Sequence, residues 1–250
     1  MSWDVSNSYY SGQGIVMLAK RDANGDPMGF TPIGNVSDLK ISVSVSTIEH
    51  KESQTGQRAI DLRLTTETKS ALSMTVENFI AQNLADALRG SNTKVTGATV
   101  TAEAIKCYLG KVVALKHINV STLVVNDGAT PLTLGTDYTV NAEAGSIKFS
   151  NTVTGVVDGD ALTVDYTFAT QVQVDALTNA ASELYMRFEG LNTAEGNNPV
   201  VVEVFKFLTD PLKELSLISD TIQQFTLEGS VLADSTKTTG SKFFRVTKLN

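Results

Sequence analysis

The residues able to carry general acid–base or metal chemistry are few and scattered. His50 and His117 are the only histidines, and neither has a second histidine or a cysteine at the spacing a zinc site needs. A Ser/His/Asp arrangement is no better supplied, and the two histidines read as solvated or packed side chains, His50 in a loop and His117 in a strand. Ser37-Asp-Leu-Lys40 has the Ser-x-x-Lys spacing of a serine acyl-enzyme, but that spacing works only across one helical turn and here it enters an expected strand. Asp22, Asn24 and Asp26 alternate like the first ligands of a calcium loop; Pro27 then stands where the sharp-turn glycine belongs and Ile33 where a bidentate glutamate belongs, so a turn is expected. No glycine-rich loop joins a strand to a helix at phosphate-binding spacing. The single cysteine, Cys107, has no intrachain disulfide partner and reads as a small, partly buried hydrophobe. These residues predict no catalytic site, no metal and no cofactor, hence a chain that is not an enzyme.

The overall balance points the same way. Lys and Arg number 20 against 27 Asp and Glu, a net charge of -7, which opposes tight binding to phosphates. No apolar run approaches the ~18 residues of a membrane span, and the first residues lack the basic start and apolar run of an export signal. Neither a membrane nor a nucleic acid is expected as an adhesive partner.

The elements expected to position such a surface are mainly β-strands. In 39–47, Leu39, Ile41, Val43 and Val45 alternate with Lys40, Ser42, Ser44 and Ser46; in 60–67, Ile60, Leu62 and Leu64 alternate with Asp61, Arg63, Thr65 and Glu67. This predicts two strands with one face packed and one in water, joined by the charged segment 48–59. Residues 14–34 predict a hairpin or wide turn at Asn24-Gly25. One helix is expected over 76–90, with Ile80, Leu84, Ala87 and Leu88 as its buried stripe and Gly90 as its C-cap. Residues 199–210 read as a nearly continuous apolar strand, and 220–234 as an alternating one in which Gln224, Thr226 and Glu228 share the polar side. Between them, 107–170 is a run of short strands broken by Asn-Asp-Gly, Leu-Gly-Thr-Asp and Val-Asp-Gly-Asp turns, an acidic all-β module of its own. The predicted organisation is a discontinuous β domain, 1–106 with 171–250, interrupted by an inserted module at 107–170.

The stretch from Thr31 to Ser91, a strand pair with a long connecting loop followed by Asn-Leu-Ala-Asp-Ala-Leu-Arg-Gly at 83–90, resembles the N-terminal half of bacteriophage major tail tube proteins of the siphophage type. The segment 198–237 is similar to the second strand pair of that domain, and 107–170 to small β modules inserted in phage structural proteins. The resemblance implies a tail-tube-type β-sandwich or partial barrel flanked by one α-helix. It also implies homohexameric rings stacked into a hollow tube in the virion tail, assembled in the cytoplasm of a bacterial host. Its partners would be further copies of the chain, a tape-measure protein, and tail terminator and distal tail proteins, with viral DNA passing through unbound.

On the same footing, Ser42, Ser44, Ser46, Asp61, Arg63, Thr65, Gln224, Thr226 and Glu228 are the candidates for lining the bore. Glu49, His50, Lys51, Glu52, Gln54 and Arg58 are the candidates for contacts to the next ring. The polar face would equally suit the solvent side of a sandwich, and the charged loop a solvated tip. A carbohydrate-binding or adhesin-like module and a related tail ring component are the competing readings. Trp3 is the only tryptophan, a thin supply for sugar stacking.

Overall fold

A computed structural model describes residues 9–249, so Trp3 lies outside the described residues. The chain is mainly β, and the described residues form several antiparallel sheets and one short helix. Its first part contains β1 (Gly12–Lys20), β2 (Thr31–Pro32), β3 (Val36–Lys51), β4 (Ile60–Val76) and α1 (Ala81–Ala87). There follow β5 (Ser91–Val95), β6 (Ala98–Lys106), β7 (Val112–Ala114), β8 (Val120–Asp127), β9 (Thr130–Pro131), β10 (Tyr138–Asn141), β11 (Ser146–Phe149), β12 (Ala161–Phe168) and β13 (Gln171–Asp175). The chain ends with β14 (Glu183–Asn192), β15 (Asn198–Thr209), β16 (Phe225–Val231) and β17 (Phe244–Lys248).

Two compact units result. One is Thr93–Gln173; the other is the described chain on either side of it, up to Asn92 and from Val174. The module therefore begins earlier than residue 107, because β6 pairs with β12 along Ala98–Lys106 and is drawn into that unit by its hydrogen bonds. Its strands form a four-stranded sheet, β6-β12-β8-β9, and a three-stranded sheet, β10-β11-β7. Inward side chains of both, Val125, Tyr138, Ile147, Phe149, Val164 and Tyr166 among them, fill one core with the buried Cys107. The turns close on glycines: Gly145 has φ +61, and a Cβ there would strike the His117 carbonyl oxygen.

The other unit is built on an eight-stranded sheet in the order β2-β1-β14-β15-β16-β4-β3, with β17 also paired to β15. Val16 and Leu18 of β1 share a buried cluster with Leu72, Met74 and Val76 of β4 and with Phe207, Phe225 and Leu227. Strands near opposite ends of the order thus meet across one core, which requires the sheet to curl on itself.

The helix is shorter than its periodicity predicts. β4 keeps its ladder to β3 and β16 through Val76, and Ile80 is still extended (ψ 151) and exposed, so only Ala81–Ala87 is helical. Ala87 and Leu84 reach the core, joined by Asn83, whose buried amide donates to the Ile33 carbonyl at 2.7 Å. The left-handed residue that ends the helix is Arg89 (φ 47) rather than Gly90, and the Gly90 N–H returns to the Ala85 carbonyl at 2.7 Å. Gly90 is needed instead for close approach, since a Cβ there would strike the Asp175 carbonyl oxygen.

Packing and exposure separate the two ends of β4. Leu72→Ala, in the core, is expected to cost about 2–5 kcal/mol. Leu62→Ala, on an exposed stretch of the same strand, is expected to change the stability of the dilute chain by about 0.5 kcal/mol or less. Urea denaturation of the two variants checks this, and equal losses would contradict the placement.

Candidate functional site

The most exposed regular structure is the far half of the β3/β4 hairpin. β16 covers β4 only over Ser70–Val76, whereas β3 stays paired to β4 out to Lys51 and Ile60. Beyond Val43 and Ser70 the hairpin is a two-stranded ribbon with both faces bare. Here the structure departs from the expectation that one face packs throughout. Leu39 and Ile41 do pack against the core, but Val43, Val45, Ile48, Ile60, Leu62 and Leu64 are all about half exposed or more.

A β-bulge redistributes those side chains. Ser46 pairs with Glu67 and Thr47 with Thr65, so β4 carries one extra residue, Thr66, whose hydroxyl donates to the Ser46 carbonyl at 3.1 Å. β3 runs through without an insertion, so Ser42, Ser44, Ser46, Ile48 and His50 stay on one face and Val43, Val45, Thr47 and Glu49 on the other. Cross-strand partners share a face. Leu64 and Leu62, opposite Ile48 and His50, therefore join the serine face, and Thr65 and Arg63, opposite Thr47 and Glu49, join the valine face. Arg63 confirms its side by contacts, with Nε 3.4 Å from the Thr47 hydroxyl and 3.8 Å from the Glu49 carboxylate. The expected grouping of Ser42, Ser44 and Ser46 with Arg63 and Thr65 is thus broken by one inserted threonine.

What the sheet does assemble is a polar face nearer its centre. Ser42 lies beside Ala71 and Ser230, Lys40 beside Ser73 and Glu228, and Thr226 beside Thr75, with Ser44 and Ser46 continuing outward past Lys69 and Glu67. Gln224 falls one residue before β16, because 220–224 is irregular and not strand. The charges on this face are matched. Lys40 Nζ is 2.6 Å from Asp38, Lys69 Nζ is 3.0 Å from Glu67, and Lys213 pairs with Glu228. Exposed pairs of this kind add little to stability, since solvent screens them. Their effect is to leave the face close to neutral, with no uncompensated cluster of cations to hold phosphate.

The ribbon's end holds the residues expected to bridge between copies. Glu49 faces Arg63, and His50 Nδ1 is 2.6 Å from the Asp61 carboxylate, placing His50 on a strand and not in a loop. Lys51 closes the strand opposite Ile60. Glu52 organises the turn itself: its carboxylate accepts from the Thr55 hydroxyl and from the backbone N–H groups of Thr55 and Gln54, at 2.5, 2.9 and 2.7 Å. Arg58 sits in the left-handed region at φ 52. Glu49 and Glu52 are thereby engaged within the chain.

The residues weighed for chemistry are placed apart. Asp22 does not face a cation; its Oδ1 accepts the backbone N–H groups of Asn24 and Asp26 at 2.9 and 2.8 Å. His117 lies in a bend instead of a strand, stacked on Phe168 at 3.7 Å, with Nδ1 2.7 Å from the Tyr166 hydroxyl. Tyr166 in turn donates to the buried Glu103 at 2.5 Å, a chain the sequence spacing does not reveal because its members lie 63 positions apart. Burial first, then Glu103, pushes the Tyr166 hydroxyl well above its usual range. Burial likewise raises the Cys107 thiol, with Asp158 and Asp160 adding to it. Among the described residues no three His, Cys, Asp or Glu side chains gather as a metal site, and no helix is long and apolar enough to cross a membrane.

The fold and surface define a mainly β protein whose chief exposed feature is a projecting hairpin with apolar side chains on both faces. Residues 9–247 match the model of the family described as "Protein of unknown function UCP028589", and the chain belongs to that family. No curated protein matches it.

The turn at the ribbon's end has a pH signature. The Thr55 hydroxyl, followed by the Thr55 and Gln54 N–H groups, lowers the Glu52 pKa from 4.5 to about 2. Because the folded value is depressed, these bonds hold the turn above the unfolded pKa and are lost as pH falls from there through about 2. Thr55→Val is expected to move the Glu52 titration up towards 4.5 in a carboxyl-carbon NMR titration. An unchanged titration would refute the hydrogen-bond account.

Proposed function

We propose that the chain is a structural subunit of a phage-type tail tube, in which copies join edge to edge into stacked hexameric rings around a water-filled bore. The observation that carries this reading is the ribbon of β3 and β4 beyond Ser70. It holds unpaired backbone edges and six large aliphatic side chains in solvent, an arrangement that a monomer gains nothing from and that invites strand pairing with another chain. In the assembly those side chains are covered by neighbouring copies.

The face of Ser42, Ser44, Ser46, Thr226 and Glu228 lines the bore on this reading, and its matched charges suit passage of DNA without adhesion. Arg63 and Thr65 leave the bore-lining set, because the Thr66 bulge turns them to the opposite side. Asp61 stays with His50 near the rim. The partners on this reading are other copies of the chain, a tape-measure protein, terminator and distal tail proteins. The location is a virion tail assembled in a bacterial cytoplasm. No catalytic role is assigned. The adhesin-like alternative is weakened by the module's aromatics: Tyr138, Phe149, Tyr166 and Phe168 are core side chains, which leaves little for a sugar platform.

Purified protein is expected to form rings or hollow filaments in negative-stain images. Ser44→Cys is expected to react with a small maleimide in the dilute chain and to be shielded from a bulky one in filaments. A chain that remains monomeric at high concentration, or filaments that leave residue 44 open on their outside, would overturn the reading.

A further inference from the structure

The irregular segment 210–224, between β15 and β16, carries apolar side chains into solvent. Its base is fixed: the Leu212 N–H donates to the Ala87 carbonyl at 2.8 Å, and the Leu212 side chain packs on the core. Its tip is bare, with Leu217, Ile218 and Ile222 78%, 95% and 82% exposed. Single exposed aliphatics need no explanation, but three on one long loop without secondary structure are the mark of a contact surface.

The same unit contains a trough of about 480 Å³, within the ~300–1,000 Å³ range of well-formed binding pockets. Its floor is Leu18, Ile33 and Leu184, all buried, and Met28 stands exposed at its rim as an adaptable side chain. Two charged groups border it. They are the half-buried Asp86, which accepts from Gln82 Nε2 at 3.0 Å, and the exposed Lys20. The loop has the matching chemistry, three aliphatic side chains flanked by the exposed carboxylates of Glu214 and Asp220. It does not fill the trough of its own chain, since Ile218 stands almost wholly in water.

We propose that the Leu217–Ile222 tip of one copy docks into the Leu18/Ile33/Leu184 trough of a second copy, with an acidic side chain of the loop meeting Lys20. The inference rests on the self-assembly reading above and specifies one of its contacts. Knob and trough are different surfaces of one chain, so a contact made in one direction around the assembly is heterologous and propagates into a closed ring or an open filament.

Cross-linking tests it on the whole chain. The sole native cysteine is buried, and both Met28 and Ile218 are exposed, so Met28→Cys and Ile218→Cys are expected to fold. Mixed in equal amounts and treated with a short bismaleimide, the two single variants should give a covalent pair that neither gives alone. Ile218→Asp should raise the dissociation constant for self-association by about tenfold or more. Polymers that form while the mixture gives no cross-link would overturn this contact and leave the tube reading standing. A chain that shows neither polymers nor the cross-link would remove both. Cross-linking within single chains of the dilute double variant would assign the trough to the chain's own loop and overturn the proposal.

Discussion

Hydrogen bonds between β3 and β4 continue well past Ser70, the last residue of β4 that β16 covers, and the rest of the surface follows from that excess length. Inside the sheet, alternation has one solution: Leu39, Ile41, Leu72 and Met74 turn to the core while Lys40, Ser42 and Ser73 turn to water. Outside it neither face has a core to meet. The Thr66 bulge then lets the ribbon change sides, so Val43 and Val45 project from one face and Ile48, Leu62 and Leu64 from the other. Each strand reaches this in its own way. β3 shifts the parity of its apolar residues between Val45 and Ile48, and β4 keeps its parity but inserts a residue.

That difference explains what the sequence could and could not show. The strand pair, its connecting turn and the polar character of Ser42, Ser44 and Ser46 were legible, because period-two alternation reports facing directly wherever the ladder is regular. The side taken by Arg63 and Thr65 was not. A bulge changes facing without changing the pattern on the strand that carries it, and only the partner strand bears the trace, here the step from odd to even apolar positions in β3. The same limit applies to charge. Glu49 and Glu52 read as free carboxylates in a list of residues, whereas the register brings Arg63 to one and the turn folds the Thr55 hydroxyl onto the other.

The helix shows the opposite failure, in which a local pattern promised more than tertiary structure allowed. Residues 76–90 carry helical spacing, yet β4 retains Val76 because two neighbouring strands supply hydrogen bonds there, and ladder bonds already made outweigh weak propensity. What remains of the helix, Ala81–Ala87, is below the length at which an isolated helix is stable, so its order comes from Ala87, Leu84 and the buried Asn83 amide. Similarly, the module's first strand is not legible in the sequence, because long-range pairing with β12, not any composition change at residue 107, sets where that unit begins.

A projecting ribbon with exposed aliphatics is normally an aggregation hazard. Its surroundings restrict what could pair with it. The bulge raises the local twist, which opposes flat, indefinite stacking of one ribbon on another. Glu49–Arg63 and His50–Asp61 place polar side chains between the aliphatic ones on both faces, so a partner must match charge as well as surface. The polar face near the sheet centre, with Lys40, Lys69 and Lys213 each answered by a carboxylate, adds no long-range field to that choice. On the tail-tube reading proposed above, association of copies would be governed by short-range fit at the ribbon and the loop, with little weakening as salt is raised.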